Sequence, residues 1–235
     1  MKVPSSNMCG RRPGGGSWPR AAALAIALLA ASLACGCDAA AWILVHTIGP
    51  FVPEDEIKAE YDLKGRSVLV LVDKRDPMLS AAHPRVEAAL AKAIGDTLAA
   101  RGACGPLVEP HSVEAARRAE PDFDKWSVAQ VGKYFNVDVV LHVELFEFRL
   151  RDNPSSNVFR GYAEAAMRLV LPETGEQAWP VLAAARVITA ETLPDADVEE
   201  TGKQERLLTE GFGEKIARQF YTYKVSELPL RPKVK

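Results

Sequence analysis

The chain has 235 residues, of which 29 are basic and 31 acidic, so its formal net charge is −2. This length suits one domain with extensions at its ends. No basic block occurs after residue 37, which disfavours nucleic acids and anionic lipid surfaces as partners.

The first 37 residues have the features of an export signal. An apolar run of 14 residues, Ala21–Ala34, follows a basic start and leads to Cys35-Gly36-Cys37. The run is shorter than the roughly 20 residues needed to cross a bilayer, and Asp38 interrupts any apolar continuation. The segment therefore predicts a signal peptide and not a permanent membrane helix.

Two cysteines compete as the lipid-attachment site. The signal resembles that of bacterial lipoproteins, in which small or apolar residues precede the modified cysteine. Cys35 and Cys37 both fit, and Gly36 favours Cys37. Cleavage before either one predicts a lipid-anchored protein, held firmly by two or more acyl chains. The alternative is cleavage after Ala39–Ala41, which would release a soluble protein.

Removal of the signal changes the charge and the cysteine content. Residues 1–37 hold four basic residues and no acidic one, which leaves 25 basic and 31 acidic residues and a formal charge of −6. If Cys37 is lipidated, no intrachain disulfide can form with Cys104. If Cys35 is the anchor, a bond between Cys37 and Cys104 is conceivable.

The first half of the predicted domain alternates strand and helix. Residues 38–64 form an extended lead-in, and the apolar run Ser67–Val72 predicts a strand that is buried on both faces. Pro84–Arg101 has a proline at its start, a glycine after its end and apolar residues at spacings of three and four, which predicts a helix.

A short strand and two helices are predicted next. Leu107–Glu109 has the strand pattern, and Val113–Arg118 the pattern of a weaker helix. Ser127 and Gln130 form a capping box at the start of another helix, which Asn136 ends.

From Val137 the apolar pattern alternates, as in a strand. Its phase slips by one residue at Leu145-Phe146, which predicts a β-bulge. The loop Asp152–Asn157 leads to a second alternating strand that begins near Phe159.

The second strand ends at a tight hairpin turn, Glu173–Gly175, and Gln177–Thr189 returns as the last strand of a three-strand meander. A final helix is predicted over Gln204–Tyr221, and residues 222–235 form a tail.

These elements predict one α/β (α+β) domain over residues 65–221. Its mixed sheet combines an early strand–helix–strand unit with a C-terminal antiparallel meander, and helices pack against the sheet. The inward positions of the strands and helices are expected to form one core that contains Val70, Leu90, Ile94, Leu98, Leu141, Val143 and Phe212.

The order of these elements and several short motifs carry a resemblance to a known group of envelope domains. The motifs are the strand Val68–Val72, the helix end Arg101-Gly102, the run Val137–Val143, the turn Glu173–Glu176 and the tryptophan Trp179. The stretch from Ser67 to Phe220 resembles the α/β domain shared by the amino-terminal domain of TolB, the curli secretion lipoprotein and the lipoprotein activators of penicillin-binding proteins. It also resembles uncharacterised bacterial lipoproteins of similar length.

The resemblance implies that the domain binds other envelope proteins, and it supplies no catalytic residues. The chain lacks the propeller repeats of TolB and has no obvious pore-forming hairpin. Neither of those specific roles is therefore carried over.

The sequence offers few groups for chemistry. Its four histidines are scattered with no pair at metal-ligand spacing, so neither a metal nor a cofactor is expected. His142 and Glu144 share one strand face, which is suggestive of acid–base work. We prefer to interpret them as polar positions on a solvated or edge face. Cys104 is interpreted as a small, half-buried thiol without an activating basic neighbour.

The sequence therefore predicts a membrane-anchored envelope lipoprotein that acts without catalysis, as a protein-binding or assembly accessory. It would face the periplasm, on the outer membrane in preference to the inner one. Its predicted contact surface is the exposed side of the meander with Asp152, Asn153 and Asn157 of the loop. The alternative is an exported domain that binds a small ligand or performs hydrolysis with the His142/Glu144 face. A pocket with convergent polar groups around His142 would favour this alternative.

Overall fold

The computed structural model describes residues 56–153, 155, 158–194 and 201–225. The predicted signal with Cys35 and Cys37, most of the lead-in and tail, and Asn157 lie outside this range. In chain order the elements are β1 Glu56–Ile57, β2 Val68–Lys74, α1 Pro77–Ala82, α2 Val86–Ala100, α3 Pro110–Ala119, α4 Val128–Tyr134, β3 Val139–Arg149, β4 Tyr162–Val170, β5 Gln177–Trp179, β6 Arg186–Glu191, α5 Thr201–Ala217 and β7 Tyr223–Lys224.

A five-stranded mixed sheet organises the domain. Its order is β2-β3-β4, and both β5 and β6 pair with the outer side of β4. β2 and β3 are parallel, with Val68 opposite Val139, and the remaining pairs are antiparallel. β1 and β7 form a separate two-stranded sheet. The predicted α+β class with a mixed sheet is confirmed.

Strand β2 is buried on both faces, as its continuous apolar sequence predicts. Val68, Val70 and Val72 belong to the larger core cluster, and Leu69 and Leu71 to a smaller cluster on the opposite face. Each face of the sheet therefore has its own apolar layer at this strand.

The larger core lies between the sheet and the helices α2 and α5. All seven residues that the sequence assigns to the core belong to this cluster, so that prediction is confirmed. Helix α5 approaches α2 closely at Gly213, where a Cβ atom would lie 2.7 Å from Cβ of Ala93. A glycine at this position lets the two helix backbones come together.

The opposite face of the sheet is covered over only part of its width. Val113 and Ala116 of α3, together with Val131 of α4, pack on the apolar residues of β2 and the first part of β3. Among the described residues, neither apolar cluster covers this face along β4, β6 and the second half of β3. Val187 of β6, which lies on this part, is 52% exposed.

Two local features are confirmed as predicted. At the start of α4, Oγ of Ser127 accepts from the N–H of Gln130 at 3.2 Å, and Oε1 of Gln130 accepts from the N–H of Ser127 at 2.7 Å. In β3 the register shifts between Leu145 and Glu147, which is the predicted bulge.

The predicted last strand, Gln177–Thr189, is wrong as a continuous strand. The chain leaves the sheet at Pro180 and returns as β6. Proline has no N–H to donate to a strand ladder. The side-chain amide of Gln177 holds the intervening loop by donating to the carbonyls of Pro180 at 2.6 Å and Ala183 at 2.7 Å.

Other elements differ in extent from the prediction. The short strand predicted at Leu107–Glu109 is reduced to one parallel bridge between Leu107 and Val68. The next helix begins earlier than predicted, at Pro110, because proline suits a first helical position. Helix α1 was not predicted; it begins where Asp76 Oδ1 accepts from the N–H of Met78 at 2.8 Å.

Candidate functional site

The part of the second sheet face that the helices leave uncovered forms the candidate contact surface, called the open face below. Three cross-strand rows build it, running from β3 through β4 to β6. These rows are Glu144–Ala166–Val187, Glu147–Glu164–Thr189 and Arg149–Tyr162–Glu191.

The bulge determines which acidic side chains reach the open face. In a regular strand, residues three apart point to opposite faces. The register shift between Leu145 and Glu147 adds one residue, so Glu144 and Glu147 lie on the same face. Phe148 correspondingly joins the larger core on the other side.

Polar contacts hold the side chains of the open face in place. Glu147 lies opposite Glu164, a like-charge pair that would be unfavourable alone. Arg149 forms an ion pair with Glu147, and its guanidinium lies 4.4 Å from the ring centroid of Tyr162. The Tyr162 hydroxyl donates to Glu164 Oε2 at 2.7 Å, and this hydrogen bond raises the pKa of Tyr162.

The predicted binding loop borders the open face. Asp152 lies 3.6 Å from Arg149 and 3.5 Å from Arg160, and Arg160 in turn pairs with Glu191 of β6 at 2.5 Å. Asn153 Oδ1 accepts from the N–H of Ser155 at 3.0 Å, which stabilises the turn. The structure therefore links Asp152 to the open face through arginines, and it places Asn153 in the adjoining loop.

His142 lies between the open face and the helix-covered part. The sequence interpretation of a solvated or edge position is wrong for this residue, because His142 is only 8% exposed. Its Nε2 lies 2.9 Å from Asp73 Oδ2, and its Nδ1 lies 3.3 Å from Arg168 Nε. Asp73 also accepts from Arg117 Nη2 of α3 at 2.5 Å.

This network assigns the tautomer of His142. The Arg168 guanidinium is always protonated and can only donate, so Nδ1 of His142 accepts. The proton is therefore on Nε2, which donates to Asp73. Both ring nitrogens are occupied by protein partners, and a general base needs one of them within reach of a substrate proton.

Asp73 is the charged centre of the network. Burial acts to raise its pKa, but the contacts with His142 and Arg117 together outweigh burial and lower it. A carboxylate whose pKa is lower in the folded protein than in the unfolded chain stabilises the folded state only while it is ionised.

This carboxylate predicts an acid-dependent loss of stability. Its contribution is complete above the unfolded pKa, near the ordinary value of 3.8, and disappears as the pH falls through the lower folded pKa. We expect the melting temperature of the wild type to fall more steeply below about pH 4 than that of Asp73→Asn. If the melting temperatures of the two proteins fell by the same amount between pH 6 and pH 2.5, this role of Asp73 would be contradicted.

The sequence did not identify the partners of His142. The signal for Asp73 is its position directly after the buried run of β2. The parallel pairing of β2 with β3 brings Asp73 to His142, and the packing of α3 brings Arg117 to Asp73.

Other chemically capable groups have structural partners. A cleft of about 600 Å³ lies at the start of β2 and β3, and its lining includes Arg66, Ser67 and Asp138. The Ser67 hydroxyl and N–H both donate to Asp138 Oδ2 at 2.7 Å, and these hydrogen bonds lower the pKa of Asp138. Cys104 is half-buried, and burial raises the pKa of its thiol. In the part of the chain that the structure describes, no group of three metal-ligating residues comes together.

None of the helices in the described ranges has the length and apolar character that crossing a bilayer requires.

Comparison with known proteins gives only distant likenesses. No protein-family model and no curated protein sequence matches the chain. The PelC dodecamer from Paraburkholderia phytofirmans has 10% sequence identity and a TM-score of 0.44, over 72% of this chain and 99% of PelC. Lipoprotein GNA1162 from Neisseria meningitidis has 14% identity and a TM-score of 0.40, over 64% and 97%. The LpoB C-terminal domain from Salmonella enterica has 14% identity and a TM-score of 0.32, over 62% and 91%.

The solved structures that the chain resembles thus include bacterial lipoproteins, which is the broad part of the resemblance stated from the sequence. They do not show that the chain belongs to the specific group named there. At these identities and TM-scores the likenesses determine neither an activity nor a partner.

Proposed function

We propose that the protein is a lipid-anchored protein of the cell envelope whose domain binds another envelope protein through the open face, without covalent chemistry. It would face the periplasm, with the outer membrane preferred to the inner one. The open face carries the proposal, because the described helices pack on other parts of the sheet and none of the described residues forms an apolar layer over this one.

The composition of the open face suits protein recognition. It presents Val187 and the ring of Tyr162 among acidic and basic side chains that already hold one another in place. Side chains fixed in the free protein lose little conformational freedom on binding, which favours affinity. Mixed charges on such a surface also favour one partner over others.

The hydrolytic alternative depends on His142 and Glu144. His142 is buried, and its two ring nitrogens contact Asp73 and Arg168. A substrate could use this imidazole only after one of those contacts is broken. These contacts support the assignment of His142 to the structure of the domain.

The anchor is tested by the replacement of both candidate cysteines. We expect the Cys35→Ser/Cys37→Ser protein to lose the labelled fatty acid that the wild type incorporates in growing cells. Cys104→Ser is the matched control and should keep the label, because its thiol lies inside the domain. A wild type without lipid label, with unchanged membrane fractionation of the double variant, would instead indicate an uncleaved helix.

The contact surface is tested by cross-linking in intact cells. A photoreactive amino acid at Val187, on the open face, should form one defined adduct with an envelope protein. The same amino acid at Lys92 on α2, whose side chain is 65% exposed, is the control and should not form that adduct.

The yield of the Val187 adduct also tests whether the Asp152–Asn157 loop and His142 take part in partner binding. Asn153→Ala with Asn157→Ala should reduce its yield while the melting temperature stays near that of the wild type. His142→Ala should leave the yield unchanged. If His142→Ala abolished the function of a folded protein and the loop variant had no effect, the hydrolytic alternative would replace this proposal.

A further inference from the structure

The loop between β5 and β6 is the most exposed apolar segment among the described residues. Leu182 is 100% exposed and Val181 is 83% exposed. Ala183 and Ala184 are exposed as well, and no charged residue occurs from Gln177 to Ala185. We call residues 180–185 the apolar tip.

Two backbone carbonyls of the apolar tip accept hydrogen bonds from within the protein. The side-chain amide of Gln177 donates to the carbonyls of Pro180 and Ala183 at 2.6 and 2.7 Å. Pro180 itself has no N–H that needs a partner. Carbonyls that are satisfied within the protein can enter an apolar medium at a much lower cost than free ones.

The tip lies beside the point where the chain enters the domain. Arg186, directly after the tip, pairs with Glu60 at 3.4 Å. Glu60 is fixed in turn, because its N–H donates to the carbonyl of Gln219 at 2.8 Å. The chain from the proposed anchor at Cys37 therefore reaches the domain next to the tip, and its 19 steps to Glu56 span at most about 65 Å.

We infer that the apolar tip inserts into the lipid bilayer that holds the anchor, with Val181 and Leu182 at the boundary between head groups and acyl chains. This inference rests on the proposed anchoring. A protruding tip of two large apolar side chains suits a fluid lipid surface, whereas a protein contact of ordinary size needs a much broader patch. The tip carries no charge, so its contact with lipid is apolar and needs no anionic head groups.

The insertion can be measured as the depth of position 182. The processed, lipidated protein with Leu182→Cys and Cys104→Ser carries a nitroxide at position 182, verified by peptide mapping, in vesicles of phosphatidylethanolamine and phosphatidylglycerol. Molecular oxygen concentrates in lipid, whereas a nickel chelate stays in water. We expect oxygen to increase the spin relaxation rate of the nitroxide more than the nickel chelate does. A label at Lys92→Cys should show the reverse preference.

Two further samples test whether lipid, and not another contact, shields the label at position 182 from water. In phosphatidylcholine vesicles the depth of position 182 should be unchanged, because the contact is apolar. With the label moved to Val181→Cys, the added change Leu182→Asp should return it to the aqueous preference. Equal access of nickel to positions 182 and 92 in vesicles would overturn the inference. So would protection of position 182 in native envelopes but not in protein-free vesicles, which would identify a protein as the occupant.

The depth measurement can fail independently of the tests of the lipid anchor and of the protein partner. Fatty-acid labelling reports the anchor and the Val187 adduct reports the partner, whereas the nitroxide reports only where the tip lies. An aqueous tip on a lipidated protein that still forms the adduct would reject the insertion alone.

Discussion

Ile94→Ala is expected to lower the free energy of unfolding by about 2–5 kcal/mol. Ile94 is 0% exposed and lies in α2, between the sheet and α5. Truncation removes apolar contacts and leaves a cavity that the surrounding helices and strands fill only in part. For a domain of this size, each kcal/mol corresponds to roughly 2–4 °C in melting temperature.

Ile57→Ala is the matched control because it removes the same atoms from a residue that is 41% exposed. We expect it to cost at most about 1 kcal/mol. Urea unfolding followed by circular dichroism measures both variants. Equal effects of the two changes would mean that α2 does not face the core at Ile94.

Gly213→Ala and Gly211→Ala are expected to change stability in opposite directions, although both lie in α5. A Cβ at Gly213 would lie 2.7 Å from Cβ of Ala93 and 3.1 Å from the backbone N of Ile94. The helices would have to separate, at a cost of about 1–3 kcal/mol. A Cβ at Gly211 meets nothing within 4 Å, so alanine there should gain up to about 1 kcal/mol of helix propensity.

The difference in free energy of unfolding between the two variants is the informative quantity, because both replace a glycine by alanine in the same helix. Thermal unfolding under identical conditions measures it. If Gly213→Ala were as stable as Gly211→Ala, α2 and α5 would have space between them, contrary to the distances in the structure.

The parts of the fold that the sequence predicts are those determined by local patterns. The apolar run of β2 indicates its burial on both faces, and the phase slip at Leu145-Phe146 indicates the bulge. The capping box of Ser127 and Gln130 marks the start of α4. Each of these signals lies within a few consecutive residues, so no information about distant packing is needed.

The parts that were missed depend on distant packing. In the sequence, His142 occupies a polar position of an alternating strand. The register that places Arg168 beside it and Asp73 near it cannot be derived from residue spacing. The continuous strand predicted after Gln177 is wrong because its apolar residues were expected to be buried in the sheet, whereas Val181 and Leu182 lie in an exposed loop. Pro180 was the local indication of the break, and the two carbonyl contacts of Gln177 show how the loop is held.

The parallel pairing of β2 with β3 has a consequence for synthesis of the chain. Ser67 and Asp138, which join the starts of the two strands, are 71 residues apart. At about 5–20 residues per second, the ribosome needs roughly 4–15 s to pass from the end of β2 to the end of β3. Contacts over such a separation also form slowly, because a long loop must close first. During this interval β2, whose first five residues are apolar and buried in the folded domain, has no partner strand, so binding of a chaperone to this segment would keep it from aggregating.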